Sequence, residues 1–493
     1  MKPWARHPRI YEINTWVWLR ELGQKYTRPV SLATVPREDW DQIASLGFDA
    51  IWFMGVWERS PAGIEISMRN PGLLEDFRRA LPDFTAEDNV GSPYCVRRYV
   101  VDAHLGGAWG LAAAREQLAE RGLRLILDFV PNHVAPDHPW VAAHPEYFVQ
   151  GDDGDLRREP ASFIAAGGKV LACGRDPYFP AWSDVLQLNA FSEGLRSAAV
   201  ETLQQIAAQC DGVRCDMAML MMSDVFERTW GPRAGVRPAK DYWFSLIPAV
   251  RSRQPGFRFL AEAYWDLEWK LQQQGFDFCY DKKLYDRMEH GDAENMRLHL
   301  TADLTFQHGL VRFLENHDEP RVAAAFAPGK ARAAAVAILT LPGAKLLYEG
   351  QFEGRTVRLP VFLGRRPVEP VDQDLAVFYT RLLEETNRDV FRNGQWRLCE
   401  RTGWPDNESY RNILAWCWEM GPERRLMVLN FSDAPSQALT RLPWEDLHGR
   451  TWRLTDSLTG ETFERSGDGM TGAGLFVSLE PWRWHFLRLE PLA

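Results

Sequence analysis

Eight short apolar runs alternate with helix-like segments along most of this chain, and that alternation leaves few folds open. The runs are RIYEINTW (9–16), FDAIWFM (48–54), RLILDFV (124–130), GVRCDM (212–217), FRFLAEA (257–263), FDFCYD (276–281), VRFLEN (311–316) and AKLLYEG (344–350). Between them lie stretches such as AWGLAAAREQLAERG (108–122), which closes near a glycine as a helix stop does, and FSEGLRSAAVETLQQIAAQ (191–209). A repeated strand–helix order predicts a parallel sheet. Eight such units predict its closure into a (β/α)8 barrel of the TIM type, an α/β fold whose active face lies at the carboxyl ends of the strands.

Two connections are too long for plain loops, one from about 57 to 107 and one from about 134 to 190. Both leave from the expected active face, where loops on a rigid scaffold set specificity. After about residue 395 helical periodicity gives way to β-rich runs such as NILAWCWE (412–419) and RLMVLNFS (425–432). The expected organisation is a barrel at 1–133 and 191–392, a short inserted domain at 134–190 and a C-terminal all-β sandwich at 393–493.

Bulk properties narrow the function. The chain has 493 residues and a formal charge of −10, from 67 acidic against 57 basic side chains, which disfavours a nucleic-acid partner. The longest apolar stretch, 333–348, is broken by Pro342 and Gly343 and falls short of a membrane span. The start shows neither the apolar core nor the cleavage site of a signal peptide. Seven cysteines without a CxxC pair signal neither a disulfide framework nor a zinc site, and read as free thiols of a cytoplasmic protein. Cys215 turns away from the barrel interior if Asp216 points inward.

The chemistry sits at strand ends. LDFVPNH (127–133), DGVRCD (211–216), FLAEA (259–263) and FLENHD (313–318) deliver Asp128, His133, Arg214, Asp216, Glu262, His317 and Asp318. Cleaving an acetal between sugars needs one ionised carboxylate and one carboxyl that holds a proton. Separate strands let the fold push their pKa values apart. Arg214 shares a strand face with Asp216 and is expected to keep it ionised, whereas Glu262 follows an apolar run suited to a raised pKa. Asp128 is read as a structural partner of its barrel neighbours.

These segments resemble the conserved regions of the α-amylase superfamily, glycoside hydrolase family 13. DFVPNH resembles the first region, GVRCD the second, the Glu262 strand the third and ENHD the fourth, in the family's order. The resemblance implies a retaining α-glycoside hydrolase acting on malto-oligosaccharides or related α-glucans through a covalent glycosyl intermediate. Asp216 is then the nucleophile, Glu262 the acid/base and Asp318 the transition-state stabiliser, with His133, Arg214 and His317 holding the sugar. PYCVRRYVVDAHLGG (93–107) resembles the family's GYD…DY…LG segment and sets Tyr94 at a sugar-stacking position. WSDVLQLN (182–189) resembles a short stretch late in the family's inserted domain. Hydrolysis and transfer share the intermediate, so a transglycosidase, isomerase or phosphorylase using sucrose, trehalose or maltosyl donors is the alternative. A non-catalytic glucan-binding protein is the reading from another class, disfavoured because such relatives usually lack triad residues.

Three departures matter. DMAMLMM replaces the Lys-His pair that many α-amylases carry after the nucleophile, so Met219, Leu220, Met221 and Met222 either make the leaving side apolar or form a core cluster. Asn132 matches one calcium-ligand position without its companions, so no obligatory metal or cofactor is expected. Arg321, in NHDEPR, is placed among the substrate-binding candidates, the alternative being an ion pair with Glu315 or Glu319. Asp277 and Asp281 are assigned loop structure only.

Overall fold

The computed structural model describes residues 3–492. All eight apolar runs are strands: β1 (Arg9–Asn14), β2 (Ala50–Met54), β3 (Arg124–Phe129), β4 (Gly212–Cys215), β5 (Arg258–Ala261), β6 (Phe278–Tyr280), β7 (Leu310–Arg312) and β8 (Ala344–Tyr348). They close into a barrel in chain order, and every neighbouring pair is parallel. The closure follows from two buried faces. Ile10, Trp52, Ile126, Leu260, Val311 and Leu346 fill the interior, while alternate residues such as Tyr11, Phe53, Leu127 and Phe259 pack under the helices. A strand buried on both sides must be nearly continuous in apolar residues, and that is the pattern read from the sequence. Cys215 lies in the outer layer, one step from the inward Arg214.

Both long connections carry structure. The first holds an antiparallel pair, Trp57–Arg59 with Val96–Val101, and between its strands two helices, Pro61–Arg69 and Pro71–Ala80. Each helix opens on proline after a capping side chain, Ser60 accepting from the Gly63 N–H and Asn70 from Gly72 and Leu73. The second holds a five-stranded sheet running His133–Val134, Trp182–Gln187, Lys169–Gly174, Gln150–Gly151, with Phe163–Ala166 also paired to Lys169–Gly174. Val134, Val141, Phe148, Leu171, Leu186 and Leu188 give it a core of its own.

The C-terminal part is a six-stranded sheet facing a three-stranded one. Its strand Ile413–Met420 is buried on both faces. Ile413, Ala415 and Cys417 join the core between the sheets, whereas Leu414, Trp416 and Trp418 join the core shared with the barrel. Trp416 Nε1 donates to Thr340 Oγ1 at 3.2 Å and Trp418 Nε1 to the Thr340 carbonyl at 2.6 Å, so the aromatic stripe fastens this sheet to a barrel helix. All seven cysteines are buried free thiols. No helix among the described residues is long and apolar enough to cross a membrane.

Candidate active site

Asp216 and Glu262 stand one residue beyond β4 and β5, yet the barrel ladder continues through them. The Asp216 N–H donates to the Phe129 carbonyl at 2.9 Å and the Glu262 N–H to the Cys215 carbonyl at 3.0 Å. Both side chains therefore leave the barrel at one level. Met217 follows with φ 41°, a left-handed conformation that a residue with a side chain adopts at a cost of about 1–3 kcal/mol. The turn aims its N–H at Glu262 Oε2, 2.6 Å away.

Arg214 organises the centre. Its guanidinium is fully buried and lies 2.7 Å from Asp216 Oδ1, 2.8 Å from Glu262 Oε2, 3.8 Å from Asp128 Oδ1 and 4.0 Å from Asp318 Oδ2. Rings of Tyr94, Trp52 and Tyr280 surround it at 5.1, 5.3 and 5.8 Å. It serves both carboxyls rather than Asp216 alone, a bridge that two residues on separate strands hide from sequence. Burial pushes Glu262 up to about 7 against the opposing Arg214 charge. Burial also raises Asp216, with the Arg214 ion pair working the other way. Tyr264 completes the Glu262 environment, its hydroxyl donating to Oε1 at 2.8 Å.

Asp318 is different. Its side chain is 45% exposed. Burial of the surrounding site works to raise it, but the His317 charge, with Arg214 and Arg358, overcomes that and holds it at about 2. His317 is buried, a state that disfavours its cationic form, yet the Asp318 and Glu12 carboxylates hold its pKa well above the usual imidazole range. Its Nε2 lies 2.9 Å from Asp318 Oδ2 and 2.7 Å from the Tyr94 hydroxyl, and Nδ1 meets Glu12 Oε1. His133 is held near 4 by burial and is neutral at pH 7. Asn132 Nδ2 donates to its Nδ1 at 3.2 Å, which leaves the proton on Nε2.

Tyr94, His133, Asp216, Glu262 and Asp318 share one cavity of about 350 Å³, which Trp182, Asp184, Tyr264, Met217 and Phe362 also line. The cavity thus joins residues from the barrel, the first connection and the inserted sheet. Glu12, Tyr264 and Asp184 were missed in the sequence; a lone acid inside the apolar run RIYEIN was the available signal for Glu12.

Three expectations need correction or refinement. Arg321 does not face the cavity: it is 2% exposed, donates to Glu315 Oε1 at 2.7 Å and to the Glu349 carbonyl at 2.8 Å, and lies over the Tyr348 ring. A guanidinium so buried and paired is turned away from the cavity, whose lining does not include it. Met219, Leu220, Met221 and Met222 are buried in the core, so the apolar leaving side does not follow and only Met217 reaches the cavity wall. Asn132 is spent on Gln187, whose Nε2 donates to its Oδ1 at 2.8 Å and to its carbonyl at 2.9 Å. A mutually satisfied pair of amides is a poor donor set for calcium, which demands several oxygens, and among the described residues no cluster of three His, Cys, Asp or Glu is placed to hold a metal. Asp128 stays structural, accepting from the Gly55 N–H at 3.2 Å and raised by burial to about 6. Asp277 pairs with Arg251 and Arg258, and Asp281 caps the helix Lys282–His290.

No family model matches the chain. It is similar to the α-amylase MalA of Haloarcula japonica, 27% identical over 373 residues, which is 72% of this chain and 45% of that protein. It is also similar to an α-1,4-glucan:maltose-1-phosphate maltosyltransferase of Pseudomonas aeruginosa, 24% identical over 231 residues, 45% of this chain and 28% of that protein. The chain therefore spans less than half the length of these two relatives. In fold it matches the crystal structure of a noncanonic maltogenic α-amylase, AmyB from Thermotoga neapolitana, with a TM-score of 0.69 over 98% of both chains at 18% identity.

Proposed function

We propose that this chain, a member of the α-amylase superfamily, is a retaining glycosidase that cleaves α-glucosidic bonds of malto-oligosaccharides or related α-glucans. One observation carries the reading: a single buried guanidinium holds Asp216 and Glu262 at the wall of one cavity, and burial lifts Glu262 to about 7. An acid with that pKa keeps its proton for a leaving group near neutral pH and takes one back afterwards.

In this scheme an Asp216 oxygen bonds to the anomeric carbon as the glycosidic C–O bond breaks, and the Glu262 proton goes to the departing oxygen. Water then attacks the same carbon, Glu262 accepts its proton, and the Asp216 ester bond breaks. Met217 N–H and Tyr264 O–H orient Glu262 throughout. Asp318, ionised and half-exposed at the cavity wall, accepts from sugar hydroxyls and stabilises positive charge at the anomeric carbon. His317 holds Asp318 in place while neutral His133 offers its Nε2–H to the sugar. No cofactor enters the scheme, and a cytoplasmic setting is supported by the seven unpaired thiols.

The test uses an α-maltosyl fluoride, whose leaving group needs no proton. Glu262→Gln should accumulate a maltosyl adduct on the Asp216 peptide, detected by mass, while Asp216→Asn forms none. Net inversion of anomeric configuration, or full activity in Asp216→Asn, would sink the mechanism. Similarity to a maltosyltransferase favours a second outcome of the same intermediate, transfer to a sugar acceptor. Products longer than the substrate, resolved over time, would assign it.

A further inference from the structure

The inserted strand Trp182–Gln187 supplies a carboxylate that the scheme above leaves unused. Its register against Lys169–Gly174 shifts between Trp182 and Leu186. Such an irregularity beside an active site re-aims side chains, and here Asp184 and its neighbour Val185 both reach the catalytic cavity. The Cys95 thiol donates to the Asp184 backbone carbonyl at 3.1 Å, which fixes the strand at that point. The carboxylate itself is half-buried and, among the described residues, has no hydrogen-bond or ion-pair partner on another residue. Burial raises its pKa with no cation beside it to offset the effect.

No lysine or arginine lines the cavity among the described residues. The cations in contact with the catalytic carboxyls are already engaged, Arg214 by Asp216 and Glu262 and His317 by Asp318 and Glu12. Arg358 stands outside, exposed, donating to the Asp318 carbonyl at 2.9 Å. A phosphate group entering this cavity would meet carboxylates and no free guanidinium or ammonium. A sugar hydroxyl would meet an acceptor that no other residue engages, its own backbone N–H apart, the kind of charge-assisted bond that orients a neutral ligand.

We infer that Asp184 is a specificity-determining residue that holds a hydroxyl of an uncharged glucosyl substrate and turns away phosphorylated donors. This rests on the glycosidase reading above and narrows it, separating neutral malto-oligosaccharides from donors such as maltose 1-phosphate.

The experiment compares maltotriose with maltose 1-phosphate in the wild type, Asp184→Asn and Asp184→Ala, each checked for an unchanged thermal midpoint. The wild type should prefer maltotriose by at least about 100-fold in kcat/KM. Loss of one hydrogen bond to a charged group should raise KM for maltotriose about 10- to 100-fold in Asp184→Ala, with kcat moving far less, and narrow the preference. Calorimetric titration of maltotriose into Asp216→Asn, with and without Asp184→Ala, should show the same weakening without any turnover. A wild type that prefers the phosphorylated donor, with that preference lost in Arg358→Ala, would overturn the inference and make Arg358 the phosphate handle. Unchanged KM and unchanged affinity in Asp184→Ala would overturn it equally. Either result leaves the adduct on Asp216 intact, whereas failure of the glycosidase reading would remove the adduct itself.

Discussion

Replacing Glu262 by glutamine should abolish turnover of natural substrates and at the same time stabilise the protein above neutral pH. In the folded chain burial lifts this carboxyl from an ordinary 4.5 to about 7, with Arg214 opposing. The unfolded chain releases the proton near 4.5, the folded chain only near 7, so the folded state binds more protons between those values. Stability is then fully present below pH 4.5 and is lost as pH rises through 7. The full cost at pH 8 is about 3 kcal/mol, from the displacement of the carboxyl between the two states. Glutamine removes the ionisation but also takes one anion from Arg214, which keeps Asp216 at 2.7 Å. The net gain expected at pH 8 is therefore about 1–3 kcal/mol, read as a rise of roughly 2–5 °C in the barrel's thermal midpoint. At about pH 4.5 the two proteins should melt together. Differential scanning calorimetry of both proteins from about pH 4.5 to 8 measures this. A difference that stays constant with pH, or a variant that loses more at the alkaline end than at the acid end, would refute the argued protonation state of Glu262.

The same pKa sets the alkaline limb of kcat/KM near 7, and Tyr264→Phe, by removing a donor that favours the ionised carboxylate, should move that limb upward in a pH–rate profile. Arg321→Met strips the fully buried Glu315 of its ion pair and should cost about 3–5 kcal/mol in chemical denaturation, while KM of the folded fraction stays put; a raised KM would restore Arg321 to the sugar site. Excess chelator should leave the thermal midpoint unchanged, because Asn132 and Gln187 satisfy each other; Gln187→Ala should lower it by about 1–3 kcal/mol equivalent through the buried amide it orphans.

Much of the site was legible because barrel geometry maps onto chain order. Asp216, Glu262 and Asp318 each follow an apolar strand, and strands of a closed parallel barrel end on one face. Arg214 was legible as a neighbour of Asp216 by the two-residue strand period, but its equal approach to Glu262 depends on the adjacency of β4 and β5. Arg321 failed for the complementary reason. Its position just past Asp318 says nothing about direction, and the chain turns it back into Glu315. Met219, Leu220, Met221 and Met222 were ambiguous in the same way, since only the fold says which wall of a turn is core. Met217 heads that turn with a left-handed φ, and the five side chains after it, Ala218 to Met222, are buried in the core.

Local periodicity was enough to give the barrel, its order of strands, the β-rich C-terminal part and the carboxylates at the strand ends, because a repeat of two or of 3.6 needs no knowledge of distant residues. The proton affinity of each carboxyl depends on the closed fold instead. Glu262 sits at about 7 and Asp318 at about 2 because of what surrounds them: burial and the Arg214 charge from another strand act on both, and His317, the chain neighbour of Asp318, is held cationic with the help of Glu12 on β1. The reach of Asp184 into the cavity belongs with them, because a shift in strand register is a property of the pairing. Charge interactions and burial depend on distance in space, and closure of the barrel is what sets those distances.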